Sequence, residues 1–103
     1  MTSMKDRQDG FEKKFALDEE LRFKATARRN KLLGLWAAEK LGKTGADAEA
    51  YAKEVVKSDF EEAGDEDVFR KVRGDLDASV SDHQIRRTME ELMVTAVEQV
   101  KSA

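Results

Sequence analysis

The nucleophilic and proton-transferring residues of this chain give little support for catalysis. Its 103 residues include one histidine, His83, and no cysteine. Without a second histidine or a cysteine, a nucleophile activated by a neighbouring base is hard to build. His83 falls in the first turn of a predicted helix, where we expect it to be exposed. The sequence therefore predicts a protein that is not an enzyme.

Carboxylates cluster at several points of the chain: Asp65 to Asp67, Asp75 with Asp77, and Glu90 with Glu91. These positions are typical of solvated helix faces and of helix N-termini, where negative charge is favourable. There is no glycine-rich phosphate loop, and no spacing of ligand residues resembles a metal site. We therefore expect no metal and no cofactor, while the residues leave open whether ADP or ATP binds.

The net charge of −3 conceals an uneven distribution along the chain. Residues 21–44 are strongly basic, whereas residues 1–20 and 45–103 are acidic. The basic run consists of Arg22, Lys24, Arg28, Arg29 and Lys31. Two interpretations of this run are open. It packs against the acidic remainder of its own fold, or it binds the anionic surface of a partner. Because nucleic-acid binding normally draws on a positive field over a whole domain, we expect no nucleic-acid partner.

The apolar residues recur at helical spacing, and glycines separate the segments that show this pattern. The spacing predicts helices over about 18–41, 45–63, 66–78 and 82–101. Ser81 and Gln84 form a capping box, and Val80 with Ile85 forms a hydrophobic staple at the start of the last helix. Short connections favour antiparallel neighbours, so we predict an all-α fold, a small four-helix bundle. No apolar run approaches the ~20 residues of a membrane span, so we expect no direct membrane insertion.

The core of this bundle is predicted from the large apolar residues of the four stripes. They are Leu32, Leu35, Trp36, Tyr51, Val55, Phe60, Phe69, Val72, Ile85, Met89, Leu92 and Met93. Residues 1–17 contribute little to this set. We therefore predict that they form a mobile or projecting N-terminal segment ahead of the bundle at 18–103.

Phe11 and Phe15 form an aromatic pair at positions i and i+4 of this segment, with charged residues around them. A stripe this narrow cannot fold by itself, but it suits docking in the groove of a partner. The other interpretation is a solvated extension without a function. The residues leave both interpretations open.

Four segments resemble the zeta subunit family of alphaproteobacterial F-type ATP synthases. They are DEELRFKA at Asp18–Ala25, ARRNKLLGLWAAEKLG at Ala27–Gly42, AGDEDVFRKVRGDL at Ala63–Leu76 and SDHQIRRTMEELM at Ser81–Met93. The resemblance covers nearly the whole chain. It implies a helical bundle that binds the catalytic head of the ATP synthase and inhibits ATP hydrolysis.

The resemblance implies that the N-terminal segment is the inhibitory element. Our hypothesis for its action is that it inserts between catalytic subunits near the central stalk. The residues of this chain that match it are Asp6, Arg7, Phe11, Lys14 and Phe15. The basic run is a second candidate contact with the motor. The resemblance further implies a chain that is monomeric when free, cytoplasmic, and peripheral to the inner membrane through the ATP synthase. A nucleotide- or nucleic-acid-binding helical module, or a scaffold with a non-functional tail, is the alternative.

Overall fold

The structure is a computed structural model that describes the backbone of residues 2–59 and 65–102, and side chains from Glu19 onward within these ranges. In these ranges the chain forms four helices and no strand: α1 (Thr2–Lys40), α2 (Gly45–Ser58), α3 (Glu66–Asp75) and α4 (Asp82–Ser102). The predicted all-α, four-helix fold is confirmed. None of the described helices combines the length and the apolar composition that a membrane span requires.

Three helix ends differ from the predicted ones. The backbone of α1 is helical from Thr2, whereas the stripe of apolar residues indicated a start near residue 18. The helix α2 ends at Ser58, before the predicted residue 63, and α3 ends at Asp75, before the predicted residue 78. The predicted mobility of residues 1–17 and the division of the chain at that point stay predictions.

Hydrogen bonds from Arg73 to the following turn hold the C-terminal end of α3. Leu76 leaves the helix in an extended conformation, with ψ of 151°. The guanidinium of Arg73 donates hydrogen bonds to the carbonyl oxygens of Leu76, Asp77 and Val80, at 3.3, 2.8 and 2.6 Å. These bonds satisfy carbonyl groups that a continuing helix would otherwise have bonded. The turn is thereby held against α3, and α4 can begin at Asp82.

The connection between α1 and α2 is a glycine-terminated helix end. Gly42 has φ of +75°, and the amide of Lys43 donates to the carbonyl of Ala38 at 2.8 Å. The amide of Gly42 donates to the carbonyl of Glu39 at 3.1 Å, which completes a Schellman motif. The chain reverses within a few residues, so α2 packs back along α1.

The helix α1 packs along both α2 and α4, and the short α3 closes the bundle against all three. The core cluster includes the predicted Tyr51, Val55, Phe69, Val72, Ile85 and Met89. Trp36 and Leu92 are partly buried and pack against it, and Phe60 lies outside the described residues. The prediction omitted Leu33, which is fully buried, whereas Leu32, Leu35 and Met93 are half-buried.

The buried stripe of α1 therefore differs from the predicted one. It consists of small and polar residues around a single leucine: Ala25, Arg29, Asn30, Leu33, Ala37 and Ala38. Small residues let α2 and α4 approach closely on the two sides of α1. A Cβ placed on Gly34 would lie only 2.6 Å from the Cα of Ala52 on α2. The buried face is thus rotated from the predicted Leu32 and Leu35 toward Leu33 and the small residues.

Candidate partner-binding surface

The N-terminal site residues lie outside the described side chains. For Asp6, Arg7, Phe11, Lys14 and Phe15 the structure gives the helical backbone of α1 and nothing of their contacts. On such a backbone, positions 11 and 15 share one face. Their role in binding a partner stays a prediction.

The five residues of the basic run lie in different surroundings, because they occupy different faces of α1. Arg22, Lys24, Arg28 and Lys31 are exposed. Arg29 is 2% exposed and belongs to the interior of the bundle. The other four residues can therefore contribute to a contact surface for a partner. Arg29 instead packs inside the bundle.

Arg29 and the adjacent Asn30 form a buried polar network on α1. The Nε of Arg29 donates to Oδ1 of Asn30 at 2.8 Å, and its Nη2 donates to Oδ1 of Asp65 at 2.8 Å. The amide Nδ2 of Asn30 donates to Oδ2 of Asp59 at 3.0 Å. Asp59 follows the end of α2, and Asp65 precedes α3. Two neighbouring residues of α1 thus hold both ends of the connection between α2 and α3.

Burial and the neighbouring charges have opposing effects on the pKa of Asp59 in this network. Burial raises the pKa of the Asp59 carboxyl above its usual value. The hydrogen bond from Asn30 and the positive charge of Arg29 oppose this, while the nearby Asp65 and Asp67 reinforce it. The Oδ2 atom of Asp67 is buried without a hydrogen-bond partner. The cluster therefore concentrates negative charge around one buried guanidinium.

Three exposed cations of the run lie together on the outer face of α1. Lys24, Arg28 and Lys31 line an open groove of ≈ 550 Å³. The apolar part of its lining comes from Ala27 on α1, Val56 on α2 and Val100 on α4. The spacing of Lys24, Arg28 and Lys31 on α1 thus brings the three cations into the lining of one groove.

Arg22 lies on another side of α1, in contact with a different part of the bundle. It lines a depression of ≈ 450 Å³ together with Leu21 and Thr26 of α1, Asp65 before α3, and Met93, Val97 and Lys101 of α4. This places the end of α4 beside Leu21. Arg22 therefore does not share the groove of Lys24, Arg28 and Lys31.

The described residues offer little that resembles a catalytic or metal centre. His83 is exposed in the first turn of α4, as expected. No group of three or more His, Cys, Asp or Glu side chains in the described part of the chain is arranged to hold a metal ion. The pKa of Tyr51 is raised by burial and by the hydrogen bond that its hydroxyl donates to Asp75, which joins α2 to α3.

Sequence reasoning missed two contributions to this surface. Asn30 was not among the predicted core or site residues, yet it is buried on α1 and bonded to both Arg29 and Asp59. Val56 was likewise absent from the predicted core and site residues, and it is half-buried and lines the groove. The apolar residues of α2 cover more than the single face that packs on the core. This width was the available signal that Val56 is not fully buried.

Comparison with known proteins identifies the family. A family model described as ATPase inhibitor subunit zeta matches residues 1–99. A protein whose structure was solved by solution NMR matches with a TM-score of 0.74 and 58% sequence identity, over 80% of this chain and 96% of that chain. No curated protein matches. Since the family model spans nearly all of the chain, including its N-terminal segment, the chain belongs to the ATPase inhibitor subunit zeta family.

Proposed function

We propose that this protein is a regulatory subunit that binds the catalytic head of an F-type ATP synthase and inhibits ATP hydrolysis. The observation that carries this proposal is the match to the ATPase inhibitor subunit zeta family, which begins at residue 1. The match thus includes the N-terminal segment as well as the bundle. An inhibitor subunit has a regulatory role, so the protein acts on the ATPase of another subunit.

The length of α1 is consistent with a separate role for its N-terminal half. Its 39 residues correspond to about 58 Å of helix at 1.5 Å per residue. The 21 residues of α4 correspond to about 32 Å, and α4 ends beside Leu21 of α1. The part of α1 from Thr2 to Glu20 precedes the point at which α4 ends. It is therefore length that packing against α4 does not require. The N-terminal segment, residues 1–17, which we assign to insertion in the ATPase, falls almost entirely in this part of α1.

The inhibition would result from insertion of residues 1–17 between catalytic subunits near the central stalk. A helix inserted there would block the domain closure that hydrolysis needs. Burial of the rings of Phe11 and Phe15 contributes at most ~3–6 kcal/mol. The ordering of the segment opposes this gain. Additional contacts from the bundle are therefore required for tight binding, and Arg22, Lys24, Arg28 and Lys31 are available for them.

Deletion of residues 1–17 tests the proposal. The truncated chain should keep the helical circular dichroism spectrum and cooperative melting of the bundle. It should no longer inhibit hydrolysis by the ATPase purified from the same organism. Inhibition as strong as that of the full chain would contradict the role of the N-terminal segment.

Co-purification gives an independent test of the partner and of the location. The full chain, tagged at its C-terminus, should be recovered with the catalytic subunits and the central stalk from detergent-solubilised membranes. In cell fractions without detergent it should follow the peripheral part of the ATP synthase at the cytoplasmic side of the inner membrane. Recovery without any ATP synthase subunit would contradict the proposed partner.

A further inference from the structure

The groove on the outer face of α1 continues into a second depression between α1 and α2. This second depression has a volume of ≈ 330 Å³ and is lined by Lys31, Glu49, Ala52, Lys53, Val56 and Lys57. It shares Lys31 and Val56 with the groove lined by Lys24 and Arg28. The two depressions are therefore contiguous. We call their combined surface the basic groove.

The basic groove is strongly positive in a chain whose net charge is −3. Its lining has five cations, Lys24, Arg28, Lys31, Lys53 and Lys57, and one carboxylate, Glu49. The spacing of Lys53 and Lys57 on α2 places both on one helix face. The basic run alone does not predict this concentration of charge. Two of the five cations of the basic groove, Lys53 and Lys57, come from the acidic part of the sequence at residues 45–103.

The cations of the basic groove have few partners within the protein. Lys24 pairs with Glu20 at 3.3 Å, but both side chains are more than half exposed, so the pair is weak. Arg28 donates to the neutral amide oxygen of Gln99 at 2.6 Å. Within the part of the chain that the structure describes, no ion pair involves Lys31, Lys53 or Lys57. Their charge is thus available to an anionic partner.

Apolar side chains line the basic groove between these cations. Val56 and Val100 are half-buried on its two walls, and Ala27 is exposed between them. Phe23 is 71% exposed and lies four residues before Ala27, on the same side of α1. Phe23 therefore extends the apolar surface that begins at Ala27, and an exposed apolar patch bordered by charged residues is typical of a protein contact surface.

We propose that the basic groove binds an acidic segment of protein chain that also carries apolar side chains, on the surface of the ATPase catalytic head. The inference rests on the proposed function and names the surface by which the bundle docks. Carboxylates of the segment pair with the lysines and Arg28 at the rim, and its apolar side chains contact Val56, Val100 and Phe23. The match of charge and apolar surface is the argument for this occupant.

Membranes and nucleic acids are less suitable occupants because of the charge around the basic groove. Residues 45–103 carry fifteen Asp or Glu and eight Lys or Arg. A lipid surface or a nucleic-acid backbone presents continuous negative charge and would face this acidic surround as well. A protein segment brings its charge only where the groove is positive. The valine lining also has no use in binding a phosphate backbone.

The test compares two charge-reversed variants of the full chain. Lys31→Glu with Lys57→Glu changes the basic groove, and Lys43→Glu with Arg87→Glu changes net charge equally at exposed positions elsewhere. Thermal melting by circular dichroism establishes that both variants fold. Lys31→Gln with Lys57→Gln is the milder version for the case in which the reversal impairs folding. Binding to the purified catalytic head is then measured by surface plasmon resonance over a range of salt concentrations.

We expect the groove variant to bind at least tenfold more weakly at low salt, mainly through a slower association, with the control close to wild type. At saturating concentration it should reach the same maximum inhibition, because the N-terminal segment is intact. Equal affinity of the groove and control variants would overturn the inference while leaving the proposed function in place. Failure of the wild type to bind would instead contradict the proposed function.

Two further probes distinguish the other occupants. They are vesicles of phosphatidylcholine and phosphatidylglycerol, and a short DNA duplex. We expect no binding of the wild type to either probe at moderate salt. Binding to one of them that the groove variant loses, with unchanged affinity for the catalytic head, would overturn the inference in favour of that class of partner.

Discussion

Arg29 on α1 donates from Nη2 to Oδ1 of Asp65, the residue before α3, at 2.8 Å. The two partners differ in environment, since the side chain of Arg29 is 2% exposed and that of Asp65 is 55% exposed. A buried guanidinium is thereby neutralised by a carboxylate at the surface. Without Asp65, the buried guanidinium of Arg29 would lose the carboxylate that neutralises it and accepts its hydrogen bond.

Asp65→Asn should therefore destabilise the bundle. The amide keeps one acceptor oxygen but removes the negative charge opposite Arg29. We expect the free energy of unfolding to fall by about 1.5–3 kcal/mol, the range of hydrogen bonds to charged groups. Urea unfolding followed by circular dichroism measures this.

The neighbouring Glu66→Gln is the matched control. Glu66 pairs with Arg86 at 3.2 Å, and about half of each side chain is exposed. A pair of this kind contributes roughly 0–1 kcal/mol. Equal losses for the two variants would show that the Arg29–Asp65 pair has no special contribution from burial.

The same pair shows where the sequence was sufficient and where it was not. Helix number and the turn at Gly42 follow from local spacing and glycine positions, so they were predictable. The burial of Arg29 was not, because an arginine in a basic run looks the same whether it faces solvent or α3. Its placement depends on Asp65, which is remote in sequence, and on small residues that let α2 and α4 cover it.

The candidate site was likewise predictable in part. Lys24, Arg28 and Lys31 share a helix face, so their proximity followed from spacing within α1. Lys53 and Lys57 join them only through the packing of α2 on α1, which brings Gly34 close to Ala52. The continuous basic surface is a tertiary property, and no single segment contains it.

Gly34→Ala should destabilise the protein through the contact of α1 with α2. A Cβ at this position would lie 2.6 Å from the Cα of Ala52, which is backbone and cannot rotate away. The helices would have to separate, at a cost of about 1–3 kcal/mol for an overpacked core. Urea unfolding again measures the change.

Gly74→Ala is the control for this substitution. Gly74 lies within α3, and a Cβ there would meet nothing within 4 Å. Alanine in such a position stabilises a helix by about 0.5–1 kcal/mol relative to glycine. Opposite signs for the two variants are expected. Stabilisation by both would show that α1 and α2 can separate without cost.

Stability should depend on pH through Asp75. Burial opposes ionisation of its carboxyl, but hydrogen bonds from Lys71 and from the Tyr51 hydroxyl outweigh burial and lower its pKa below the usual 3.8. Since the pKa is lower in the folded state, the ionised carboxylate stabilises the fold above about pH 4. That contribution is lost as the pH falls through the folded-state pKa.

The comparison of wild type with Asp75→Asn across pH measures this contribution. The difference in free energy of unfolding should be largest near neutral pH and shrink as the pH falls below about 4. Tyr51→Phe removes one donor and leaves Lys71, so it should keep part of the dependence. A difference that stays constant over this pH range would show that the hydrogen bonds do not favour the ionised form.

Phe11→Ala with Phe15→Ala should weaken inhibition without unfolding the bundle. Truncation of a ring that anchors an interface typically costs 2 kcal/mol or more. Each 1.4 kcal/mol corresponds to a factor of ten in affinity, so the concentration for half-inhibition should rise by roughly tenfold or more. ATPase assays over a range of inhibitor concentrations measure this shift, and circular dichroism melting reports on the bundle. Val94→Ala removes an exposed apolar side chain from α4, 62% exposed, and should leave inhibition unchanged. If the double variant inhibits like wild type, the segment is an extension without a function, and the basic groove would have to account for inhibition by itself.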